Sequence, residues 1–148
     1  MAEDETPVVV ERVKERRERL GDAANELERS LTRAANREDW RERVQEALVE
    51  VGAALEAHVV EVESPEGLYT DIMGRSPRLA HDIARLQGEH ETMGGEVGAL
   101  EELLADPNSD PEAVREQALR LLGDISRHRH RGADLIWSSY SFDIGEGD

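Results

Sequence analysis

Four apolar stripes, each stepping alternately by three and four residues, constrain this chain more than any other feature. The second carries Val44, Leu48, Val51, Leu55, His58 and Val62. The third carries Leu79, Ile83, Leu86, His90, Met93, Val97, Leu100 and Leu104, and the fourth Val114, Ala118, Leu121, Ile125, His128, Gly132 and Leu135. The first runs through Val9, Val13, Leu20, Ala24, Leu27 and Leu31, missing one slot at Arg16-Arg17. That spacing puts one apolar face on each of four helices, and a face of this kind must be buried against others like it. No alternating pattern of the sort a strand needs is present.

Punctuation places the ends. Thr6-Pro7, Ser76-Pro77 and Asp110-Pro111 each set a capping side chain before a proline at the first helical position. A break at Ala34-Ala35-Asn36-Arg37 precedes Glu38 and Asp39, which suit the positive end of a new helix. The expected helices span 7–34, 38–62, 77–105 and 111–140. An acidic tail (1–6) precedes them and a non-helical tail (141–148) follows. Short connections make helices one and two, and three and four, antiparallel neighbours. The longer link from Ser64 to Ser76 can hold a helical turn capping one end. The expected fold is all-α, a single antiparallel up-down-up-down four-helix bundle.

Composition narrows the function. With no cysteine, zinc-thiolate and iron–sulfur sites are excluded. Acidic residues outnumber basic ones 34 to 18, a net charge of -16, and stacking aromatics are scarce. Such a surface repels nucleic acid and anionic membranes. No apolar run reaches the roughly 20 residues of a membrane helix. The start MAEDETP is acidic where a signal peptide is basic, so the expected location is the cytoplasm. Lys14 is the sole lysine, which reflects base composition more readily than recognition.

Three histidines occupy core slots. His58 lies 21 residues after Arg37, His128 lies 18 after Asp110, His90 lies 17 before Pro107 and Arg17 lies 19 before Asn36. At roughly 1.5 Å per residue these offsets agree within about one turn. His58, His90 and His128 are therefore expected at one level, with Arg17 in the fourth corner. His81 and His130 fall off the stripes and are expected in solvent. A lone core histidine is usually a hydrogen-bonded packing residue. Three facing one another satisfy each other poorly without a proton, water or cation between them.

The spacing resembles the hemerythrin-like family, four-helix bundles described as cation-binding domains. The resemblance covers nearly the whole chain, particularly Pro77-Arg78-Leu79, Arg85-Leu86, Glu89-His90 and Arg127-His128 to Tyr140. It implies a bundle whose core holds iron. The family pattern has a histidine on helix one, His-x-x-x-Glu on helix two, a histidine on helix three and His-x-x-x-Glu on helix four, binding two irons. Here Arg17 stands in the first slot, Val62 in the second helix's carboxylate slot and Gly132 in the fourth's. A di-iron oxygen carrier is thus not expected.

The remaining metal candidates are His58, His90, His128 and Glu61, which sits three residues after His58 on nearly the same face. Glu63, Tyr69 and Glu89 are weaker candidates. Arg17, Val62 and Gly132 would line the pocket, where Gly132 leaves space for a small ligand. Three readings follow. One is a hemerythrin-like cation-binding protein with one zinc or non-haem iron, sensing or storing a small molecule or iron. Another is a metal-free structural or interaction module in which Arg17 replaces the metal and pairs with Glu61 or Glu63. The third is an enzyme activating water on zinc, ranked last because no nucleophile–base pair, phosphate loop or oxyanion arrangement is visible.

Overall fold

A computed structural model describes residues 7–33, 35 and 38–141. The four stripes become four long helices: α1 (Val8–Leu31), α2 (Trp40–Glu63), α4 (Ala80–Ala105) and α5 (Pro111–Ile136), with a short α3 (Leu68–Arg75) between the second and third. A 3-10 turn, Pro77–Leu79, leads into α4, and a π turn, Trp137–Ser141, closes α5. The expected helix from Pro77 thus starts as a tighter turn, with the Leu79 amide donating to the Ser76 carbonyl at 3.0 Å. Asp110 caps α5 as its position foretells, its Oδ1 accepting from the Glu112 amide at 3.0 Å. Thr6, residues 34, 36 and 37 of the expected break, and both terminal tails except Ser141 lie outside the described residues.

Around the bundle, α1 packs on α2 and α5, and α4 packs on α5 and α2. Directions follow from the core, which falls into two apolar clusters. The larger gathers Leu20, Leu27 and Leu31 of α1, Trp40 to Leu55 of α2, Met93 to Leu104 of α4 and Val114 to Ile125 of α5. The smaller gathers Val10 and Val13, Val62, Ile83 and Leu86, and Leu135, closed by Leu68, Tyr69 and Ile72 of α3. Helices α1 and α4 therefore run toward the larger cluster while α2 and α5 run away from it. The bundle is antiparallel.

Nearly every stripe position is buried, including all those of α2 and α4. Burying a leucine or valine stabilises the fold by about 1.5–3 kcal/mol, so the faces themselves hold the bundle together. Two details depart from the stripes: Val10 is more buried than Val9, and Trp40, just 1% exposed, joins the core with the Arg115 guanidinium 5.2 Å from its ring centre.

The link after α2 turns sharply onto the end of the bundle. The Gly67 amide donates to the Ser64 carbonyl at 2.8 Å. A Cβ at Gly67 would sit 2.3 Å from the Glu61 carbonyl oxygen, so only glycine fits this close approach. That turn seats Tyr69 over the gap between the two clusters. The histidines fill the gap.

Candidate metal centre

Between the last residues of one cluster and the first of the other, three of the long helices place a histidine on the core face. On α2 it is His58, between Leu55 and Val62; on α4 it is His90, between Leu86 and Met93; on α5 it is His128, beyond Ile125. These imidazoles are 6%, 5% and 2% exposed. His128 Nε2 lies 3.2 Å from His58 Nε2 and 3.1 Å from His90 Nε2. Three buried histidines thus bring nitrogens within 4.8 Å of one another, and they could hold a metal ion.

The outer nitrogens decide where the protons are. His90 Nδ1 sits 2.6 Å from Glu63 Oε2, and His128 Nδ1 sits 2.8 Å from Glu89 Oε1. A carboxylate oxygen accepts, so each Nδ1 carries the hydrogen and donates it. The corresponding Nε2 atoms are then bare lone pairs, yet they face each other at 3.1 Å. Only His58 Nε2 is free to supply a proton, and one proton cannot serve both. Burial disfavours the remaining alternative, an imidazolium. It pushes His58 down to about 3, with His90, His128 and Arg17 adding to the effect. It also pushes His90 down to about 3, helped by His128 and opposed by Glu89, and lowers His128 against the pull of Glu89.

Converging lone pairs in a buried layer are what a cation requires. An ion bound at roughly 2.1 Å to each nitrogen of a tetrahedral site separates them by roughly 3.4 Å, close to the two spacings observed. Carboxylates on the outer nitrogens of two histidines also supply the arrangement that orients imidazole ligands and raises their basicity.

Not every sequence candidate joins the three. Glu61 turns away, its Oε1 in an ion pair 3.2 Å from Arg12 Nε. Glu63 and Glu89 reach the outer nitrogens and not the converging ones. Tyr69 stacks on His90, rings 6.1 Å apart and inclined by 12°. Burial, reinforced by Glu63 and Glu89, raises its hydroxyl above the ordinary value and keeps it a phenol. Arg17 lines the pocket beside His58 but pairs with neither Glu61 nor Glu63, whose partners are Arg12 and His90. Val62 is buried and Gly132 borders open space, with nothing within 4 Å of where its Cβ would stand. His81 and His130 are exposed.

Two participants were missed by sequence reasoning. Arg131 grips the other oxygen of Glu89 and fixes the carboxylate that serves His128. Its position three residues after His128, on nearly the same face, was the available signal. Arg129 lines the same pocket as Arg17, and nothing in the stripe pattern marks it.

No family model matches the chain, and no curated protein or solved structure matches it either. Among the described residues no helix is long and apolar enough to cross a membrane.

Proposed function

We propose that this protein binds one transition-metal ion between the Nε2 atoms of His58, His90 and His128. What carries the reading is the pair of bare Nε2 lone pairs of His90 and His128, set 3.1 Å apart by carboxylates on their far sides. Three neutral imidazoles with no thiolate suit zinc or iron(II), and a three-histidine set leaves a coordination position for water or a small ligand. In this reading the chain is a hemerythrin-like bundle reduced to one ion, with Val62 and Gly132 in place of two carboxylates and Arg17 in place of a histidine. A role in sensing or holding a small ligand or the metal itself follows from that open position. The test is metal analysis and zinc titration of untagged protein: one equivalent is expected, and His128→Ala should abolish it. A wild-type chain that takes up no zinc and no iron(II) refutes the reading.

A metal-free polar layer is the second reading, and Arg17 favours it. Its positive charge lies close enough to His58 to disfavour a cation there. Under this reading chelators leave the melting temperature unchanged, whereas loss of a bound ion lowers it by several degrees.

A further inference from the structure

Two of the three histidines have a carboxylate on the outer nitrogen, and the third does not. His58 Nδ1 is buried with no hydrogen-bond partner. The cavity that His58 lines is also lined by Arg17 and Arg129, and each of these has a buried nitrogen without a partner, NH1 in Arg17 and Nε in Arg129. Among the described residues neither guanidinium is in an ion pair. The carboxylate whose charge most favours Arg17 is that of Glu18, an exposed side chain screened by solvent.

The fold brings the two cations to the same cavity. Gly21 is one turn beyond Arg17 on α1, and the Arg129 guanidinium of α5 lies over it. A Cβ on Gly21 would come within 2.7 Å of that guanidinium, so the glycine gives it its seat. Like charges placed side by side, half-buried and unpaired are costly unless an anion joins them. Around the histidine layer the arginines Arg17, Arg129 and Arg131 outnumber the carboxylates Glu63 and Glu89, and a divalent ion would widen the imbalance by two.

We propose that a small exogenous carboxylate binds in this cavity, bridging Arg17 and Arg129 and accepting the hydrogen of His58 Nδ1. It supplies to His58 what Glu63 supplies to His90 and Glu89 to His128. Planar guanidinium forks match the two oxygens of a carboxylate. The cavity as it stands has room for about one water-sized group, so only the smallest carboxylates qualify, formate before acetate, and either enters only when the two long arginine side chains part. The open space at Gly132 lies beside it. The role given to His58 rests on the metal reading, since an ion on Nε2 places the hydrogen on Nδ1. The role of the arginines does not.

The test is calorimetric titration of sodium formate into wild-type, Arg17→Met and Arg129→Met proteins, each with and without zinc, against sodium chloride at equal ionic strength. Zinc stoichiometry is measured on the same samples, and helicity by circular dichroism. Saturable 1:1 formate binding to the wild type, weakened at least tenfold in either variant, supports the site. Formate binding no stronger than chloride, or equal in all three proteins, overturns it. Should either variant fail to fold, Gly132→Leu is the substitute, filling the open space while leaving both arginines; undiminished formate binding there also overturns the proposal. Formate binding that needs both arginines in a chain taking up no zinc sustains the anion site and removes the metal reading alone.

Discussion

Acid should unfold the metal-free protein by charging its histidine layer. In the fold His58 and His90 titrate near 3, held there chiefly by burial, whereas in the unfolded chain each titrates near the ordinary 6.5. Between those values the unfolded state binds protons that the native state refuses, so stability falls as pH falls through that window. Each such histidine then costs about 1.4 kcal/mol per pH unit below 6.5, or about 2.5 kcal/mol between pH 7 and about pH 4.5. Two together remove about 5 kcal/mol, comparable to the whole stability of many small domains, and His128 acts in the same direction. Glu96 opposes them. Burial and the neighbouring Asp124 raise its carboxyl to about 7, so the fold gains from its protonation as pH drops from 7 toward the unfolded value of 4.5. His58→Leu isolates the effect, because neither Glu63 nor Glu89 bonds to that ring. Urea titrations of chelator-treated wild type and variant from pH 7 to about pH 4.5 should differ in slope by about 1.4 kcal/mol per unit below pH 6. Identical slopes would refute the claim that His58 is buried and neutral.

Other perturbations report on single parts of the account. Glu63→Gln and Glu89→Gln should each weaken zinc binding about 10- to 100-fold, measured by competition with a chromogenic chelator, while the stoichiometry stays at one. Leu121→Ala, at a side chain with no exposure in the larger cluster, should cost about 2–5 kcal/mol in urea unfolding. Asp110→Ala removes the side-chain acceptor of the Glu112 amide at the start of α5 and should cost about 1 kcal/mol.

The bundle was legible in the sequence because its core is periodic. Val44 to Val62 and Leu79 to Leu104 alternate steps of three and four without a fault, and the same count that orders the leucines puts His58, His90 and His128 at one level. Proline after a capping residue marked the start of α5 to the residue. Less visible was anything that depends on a side chain crossing between helices. Glu61 and Glu63 both lie near His58 along α2, and spacing alone favoured Glu61; the choice was made by Arg12 on α1, which captures Glu61, and by His90 on α4, which captures Glu63. Trp40 escaped notice because it opens its helix one turn before the stripe begins, and Arg129 because its seat is a glycine on another helix. Periodicity reports the face of a residue and not the partner waiting there.

X-ray absorption at the zinc edge of zinc-loaded protein tests the convergence of the three Nε2 atoms most directly. One zinc per chain is expected, with three imidazole nitrogens at about 2.0–2.1 Å and an oxygen donor completing the shell. A spectrum dominated by carboxylate or water oxygens, with scattering from fewer than three imidazoles, would contradict it.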